Sequence, residues 1–109
     1  MSHKEQVEYI SRIRAKMPYF FEGVYVLDCG SLDINGNNQD FFSNSHYTGI
    51  DLGPGRNVDV ISAIHEFRMP KESYDVIIST EVFEHDIFYI ASLKNIFRLL
   101  KPGGLLIFT

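Results

Sequence analysis

Apolar positions along the chain change period from one segment to the next, and those changes divide it into elements. Val7, Ile10, Ile13 and Met17 recur at helical spacing behind Ser2-His3-Lys4-Glu5, which has the form of a capping box, and Pro18 stops the run. Residues 2–17 are thus predicted to form an amphipathic helix that covers a sheet. Val24-Tyr25-Val26-Leu27-Asp28 is a continuous apolar run that meets an acid and then Gly30, the pattern of a strand covered on both faces and ending in a tight turn. Residues 32–38 are rich in turn formers, and Gln39-Asp40-Phe41-Phe42 is long enough for a short helix at most. Tyr47-Thr48-Gly49-Ile50-Asp51 is a second strand with an acidic tip, closed by Gly53-Pro54-Gly55. Residues 57–60 fit a short edge strand, followed by an irregular or briefly helical stretch to Phe67. Tyr74-Asp75-Val76-Ile77-Ile78-Ser79 is a fourth strand. From Asp86, a candidate N-cap, Ile87, Ile90, Ala91, Leu93, Ile96, Phe97 and Leu100 follow a period near 3.6, so a helix is expected over 86–100. Lys101-Pro102-Gly103-Gly104 ends it, and residues 105–108 begin a fifth strand.

Strands that alternate with crossover segments predict an α/β fold: one doubly wound, mainly parallel sheet of about five strands with helices on both faces. The 109 residues, 45% hydrophobic and 14% aromatic, suit one domain spanning 1–109. Phe41, Phe42, Phe97 and Phe108 are expected in its core. A net charge of −4 without a Lys/Arg cluster argues against a nucleic-acid or anionic-membrane partner. The polar N-terminus and the lack of a long apolar stretch predict a soluble, cytoplasmic protein. Cys29, the single cysteine, has no partner for a disulfide and reads as a small packing residue, and no Cys/His spacing predicts a metal site. His3 and His46 read as surface or turn residues, and Asp59 as a partner of Arg56 or a turn residue.

The chemistry concentrates at the strand tips. Asp28, Gly30 and Ser31 follow the first strand and Asp51 ends the second, where open α/β sheets bind ligands. A carboxylate at the second tip can accept both hydroxyls of a ribose. A glycine lets the backbone approach a ligand closely, and free amides in such a turn can receive a carboxylate.

Val-Leu-Asp-Cys-Gly-Ser at 26–31, Tyr-Thr-Gly-Ile-Asp at 47–51, Tyr-Asp-Val-Ile-Ile-Ser-Thr-Glu-Val-Phe-Glu-His at 74–85 and Leu-Leu-Lys-Pro-Gly-Gly-Leu-Leu-Ile-Phe at 99–108 stand in an informative order. In that order and spacing they resemble the successive motifs of class I S-adenosylmethionine-dependent methyltransferases, over residues 24–109. The resemblance implies a Rossmann-like sheet and S-adenosylmethionine as cofactor. It implies Asp28, Gly30 and Ser31 around the methionine moiety, Asp51 on the ribose and Leu52 beside the adenine. Ala63 and Ile64 would lie at the adenine edge, and Thr80 and Glu81 near the methionine amino group or the transferred methyl. The chain departs from the family's pattern in two places. No acidic residue stands ready for the adenine amino group, and the usual Gly-x-Gly is here Gly30-Ser31-Leu32-Asp33-Ile34-Asn35-Gly36, with Asn35-Gly36 supplying turn chemistry later.

The activity implied is methyl transfer to a small-molecule or glycan-like acceptor. Alternatives are a non-catalytic binding or assembly module and, less favoured because G-x-G-x-x-G is absent, an NAD-dependent oxidoreductase. His85, Glu84, Glu81 and His65 are the candidates for a base, although Glu84 and His85 read more simply as braces for the following helix. Family members continue with further helices and two more strands, so the chain is expected to lack the C-terminal part of the fold. Its fifth strand would be an open edge through which two copies pair as a homodimer.

Overall fold

The computed structural model describes residues 3–33, 37–80, 82 and 85–109. Ser2 of the expected capping box, Asn35-Gly36, Glu81 and Glu84 lie outside the described residues. The chain forms helix α1 (His3–Lys16), strands β1 (Tyr25–Cys29), β2 (His46–Asp51), β3 (Val60–Ile61) and β4 (Tyr74–Ser79), helix α2 (Tyr89–Leu99) and strand β5 (Leu100–Phe108). Short 3₁₀ turns at Pro18–Phe21, Asn38–Phe41 and Ile64–Glu66 join them. The strands make one sheet in the order β3-β2-β1-β4-β5, and every neighbouring pair is parallel.

Each face of the sheet has its own core. Val26, Val76, Ile78 and Ile107 face α1, whose Ile10 is fully buried, together with Phe21 from the turn that Pro18 opens. Leu27, Cys29, Ile50 and Ile77 face α2, which contributes Ile96 and Leu99. Helices therefore cover both faces, as the alternation of elements predicts. Strand order reverses between β1 and β4, so the loops that leave these two strands diverge and open a crevice at the strands' carboxyl ends.

Several boundaries differ from the sequence reading. Helix α2 starts at Tyr89, because Ile87 and Phe88 form a turn and Ser92 N–H donates to Phe88 O at 2.9 Å in the first helical bond. Strand β3 is shorter and later than 57–60. Strand β5 begins at Leu100, where it pairs with Tyr74, bulges over 101–104 with Gly103 at φ 78°, and resumes pairing at Leu105 with Val76. Phe97 and Phe108 are exposed, not core: the buried stripe of α2 runs through Ser92, Asn95, Ile96 and Leu99, which turns Phe97 to solvent. Phe41 and Phe42 are half-buried against the α1-side core. His46 lies at the head of β2, its ring stacked on Tyr25 at 5.2 Å. Asp59 braces β2, accepting from Gly49 N–H at 2.8 Å.

Candidate active site

A cavity of about 570 Å³ opens at the carboxyl ends of β1, β2 and β4, within the size range of small-molecule and cofactor sites. Of the residues expected at a site, Gly30, Asp51, Leu52, Ala63, Ile64 and Thr80 line it. Four strands of the parallel sheet bring these together: Gly30 follows β1, Asp51 and Leu52 stand at the end of β2, Ala63 and Ile64 follow β3, and Thr80 follows β4.

Asp51 is held by the backbone around it. One carboxylate oxygen accepts from Leu32 N–H at 3.0 Å and the other from Leu52 N–H at 2.7 Å. Two of its roughly four acceptor positions are thereby used, and the rest remain for a ligand's hydroxyls. Across the crevice Gly30 adopts φ 78°, and a Cβ there would collide with the Val82 side chain. The glycine meets both a backbone and a space requirement.

Asp28 and Ser31 do not line the cavity; they flank Gly30, which does. Asp28 is buried at 1% exposure, and Tyr47 donates its hydroxyl to Asp28 Oδ2. Burial pushes the Asp28 carboxyl up from 3.8 to about 6, against the pull of Tyr47 and Asn38, with the charge of Asp51 adding to the rise. Ser31 donates its hydroxyl to Asn57 O at 2.5 Å, and Asn57 returns its amide to Ser31 O at 3.1 Å. The amides of Gly30 and Ser31 both donate to Ile50 O, at 2.8 and 3.0 Å. The turn's amides at 30–32 are thus engaged inside the protein, and the expected free donors for a carboxylate are not found there.

The cavity also takes in residues that the strand-tip pattern does not single out, among them Leu32, Ser62, Glu66, Val82, Asp86, Ile87 and Phe88. Asp86 accepts from Phe88 N–H at 2.8 Å and from the Ser92 hydroxyl at 2.5 Å, bracing the entry to α2. That brace leaves Ile87 and Phe88 exposed at the mouth, beside Leu52 at 77% exposure. These apolar residues look like core in a one-dimensional pattern, and only the late start of α2 reveals them as lining. Of the candidate bases, His85 and His65 line the cavity. The His65 ring packs on Phe88 at 4.7 Å, its Nε2 lies 3.8 Å from Glu66 Oε1, and its buried Nδ1 has no partner among the described residues. Cys29 is buried, and desolvation raises its thiol pKa, which suits packing rather than nucleophilic attack. Among the described residues no group of three or more His, Cys, Asp or Glu is placed to hold a metal ion.

The family model for a methyltransferase domain matches residues 1–109. The chain belongs to this methyltransferase-domain family. No protein of curated function matches it in sequence. In fold, this methyltransferase domain is similar to the Burkholderia thailandensis 1,6-didemethyltoxoflavin-N1-methyltransferase, solved with 1,6-didemethyltoxoflavin and S-adenosylhomocysteine bound. The TM-score is 0.70 and the identity 18%, over 88% of this chain and 48% of that one. It is also similar to an S-adenosylmethionine-dependent methyltransferase from Mesorhizobium loti, with TM-score 0.65 and 17% identity, over 90% of this chain and 50% of that one. The domain therefore spans about half the length of these structures, and the likeness establishes the Rossmann-like sheet. No helix among the described residues is long and apolar enough to cross a membrane.

Proposed function

We propose that this domain binds S-adenosylmethionine in the strand-end cavity and serves methyl transfer to a small-molecule acceptor. The observation that carries this reading is Asp51: a carboxylate fixed by two backbone amides, with acceptor positions to spare, facing a side-chain-free turn at Gly30 across a cavity of nucleoside size. Asp51 would take the ribose hydroxyls. Leu52, Ala63 and Ile64 would flank the adenine, and Thr80 would face the methionine end. The bound cofactor supplies an electrophilic methyl group on a sulfonium. The chain's own residues then contribute alignment and exclusion of water, the main levers in an in-line displacement. His65 and His85 stand in the cavity wall where an acceptor of high pKa could lose its proton.

The 1,6-didemethyltoxoflavin bound in the Burkholderia structure supports a small-molecule acceptor, and the exposed Leu52, Ile87 and Phe88 at the mouth suit one with an apolar face. A cytoplasmic setting is in keeping with the buried, unpaired Cys29. Strand β5 is a sheet edge, so pairing of two copies through it also belongs to the reading. Sedimentation showing a monomer at high concentration would remove that part alone.

Calorimetric titration with S-adenosylmethionine and S-adenosylhomocysteine tests the cofactor assignment. Asp51→Ala should weaken both by about tenfold or more, the worth of a hydrogen bond to a charged group. Unchanged affinity in the variant would overturn the ribose assignment.

A further inference from the structure

The polar group beside Gly30 is assembled from β1 and β2. Asp28 lies opposite Gly49 in the strand register, and Tyr47 stands two residues before Gly49 on the same face. With no side chain at Gly49, the Tyr47 ring reaches diagonally to the carboxylate and donates its hydroxyl to Oδ2. That gap cannot be filled, since a Cβ at Gly49 would run into Asn57 O and the Ser31 hydroxyl, the pair that closes the turn. Phe42 packs against the Tyr47 ring at 5.9 Å and stacks in turn on Phe21, so the phenol has a fixed approach.

The other carboxylate oxygen, Oδ1, is buried without a hydrogen bond among the described residues. Among the described residues, the groups that act on Asp28 are neutral or acidic. Strand β2 presents Tyr47 and, at its tip, Asp51; the loop before β3 brings Asp59 near Tyr47. The turn at 38–41 presents the neutral Asn38, the next residue of β1 is the protonated Cys29, and the register partner on β4 is Ile78. Among the described residues, Tyr47 and Asn38 favour the charged form, and burial and Asp51 oppose them.

We infer that Tyr47 is a positioning residue of the proposed cofactor site: its hydroxyl holds the Asp28 carboxylate fixed and ionised under the Gly30 turn, where the negative charge favours a cationic ligand. The inference rests on the cofactor reading above. Tyr47 touches no part of the cavity; it acts through Asp28. Its loss should therefore change the pH at which binding fails rather than binding at every pH. Burial holds the Asp28 carboxyl near 6, so wild-type affinity for a cation should fall as pH drops through that value.

The experiment is calorimetric titration with S-adenosylhomocysteine, which carries an ammonium group, from about pH 5 to about pH 8.5. It is run on the wild type, Tyr47→Phe, Asp28→Asn and Asp51→Ala, with thermal denaturation of each to confirm folding. Wild-type binding should be about tenfold weaker at pH 5 than at pH 7. In Tyr47→Phe the midpoint should move up by roughly 0.5–1 pH unit, the worth of one hydrogen bond, and alkaline pH should restore wild-type affinity. Asp28→Asn should bind weakly with little pH dependence, and Asp51→Ala should bind weakly with a midpoint moved down, opposite to Tyr47→Phe, because the charge that raises the Asp28 carboxyl is gone. A Tyr47→Phe profile that superimposes on the wild type, or lies below it by the same factor at every pH, would overturn the role of Tyr47 while leaving the cofactor reading intact. No wild-type binding at any pH would overturn both.

Discussion

Two carboxylates close neighbouring strands of the same sheet and meet opposite conditions. Asp51 faces the cavity with both oxygens on amides, while Asp28 is buried with one oxygen that has no hydrogen-bond partner among the described residues. Both were visible in the sequence as strand tips, because an acid after an apolar run marks the edge where side chains leave the core. Their difference was not visible, because it depends on the register that sets Asp28 beside Gly49 and within reach of Tyr47. The cost of that burial can be read from pH. In the fold Asp28 titrates near 6 against an ordinary 3.8, so between these values the native state holds more proton than the unfolded chain. Stability contributed by this group is therefore gained as pH falls through 6 and is absent at neutral pH, a penalty of at most about 3 kcal/mol. Asp28→Asn should melt higher than the wild type at about pH 7.5, and the gap should narrow toward pH 4 as the wild-type acid protonates. Denaturation midpoints of the two proteins across that range check it, and a lower-melting variant at neutral pH would contradict it. Gly30→Ala should fail differently, losing both stability and affinity, since φ 78° and Val82 exclude a methyl group.

Strand identities were legible because buried parallel strands are short apolar runs bounded by turns, and the N-terminal helix because Pro18 ends a clear period. Helix α2 shows where such reading stops. Its buried stripe includes Ser92 and Asn95, polar residues that a hydrophobic pattern assigns to the outside, while Phe97 is exposed. Asn95 earns its burial through tertiary bonds: its amide donates to Ile64 O at 2.7 Å and Phe67 O at 2.9 Å, and its carbonyl accepts from Arg98 Nε at 3.1 Å. Arg98 in turn reaches Met69 O at 2.9 Å. The helix thus clamps the segment that carries Ile64, His65 and Glu66 into the cavity wall. Asn95→Ala would remove the shorter donor from two carbonyls, leaving Ile64 O to Phe67 N–H at 3.4 Å and Phe67 O to Arg68 at 3.3 Å, and should cost about 1–3 kcal/mol in all. Urea denaturation should show the loss, and ligand affinity should fall with it because one wall is released. Normal affinity in a destabilised Asn95→Ala protein would mean that the segment keeps its place without the clamp.

At the scale of the molecule, the cavity is walled by parts far apart in sequence: the turn after β1, the tip of β2, the segment after β3, and the residues between β4 and α2. A ligand that fills it therefore ties together both halves of the sheet across the point where strand order reverses, and the unfolded chain has no such site. Binding must then stabilise the whole domain by mass action, by about 2.7 kcal/mol when ligand is present at a hundred times Kd. For a chain of 109 residues, each kcal/mol is worth roughly 4–8 °C in Tm. Saturating S-adenosylhomocysteine should accordingly raise the melting temperature by on the order of 10 °C or more, in a single transition that stays cooperative. The rise should continue logarithmically with ligand concentration and shrink in Asp51→Ala. Melting unmoved by S-adenosylhomocysteine but raised by NAD would instead favour a dinucleotide in the same crevice. A transition that splits in two, with ligand acting on only one part, would show that the two halves of the sheet unfold separately and that the cavity does not join them.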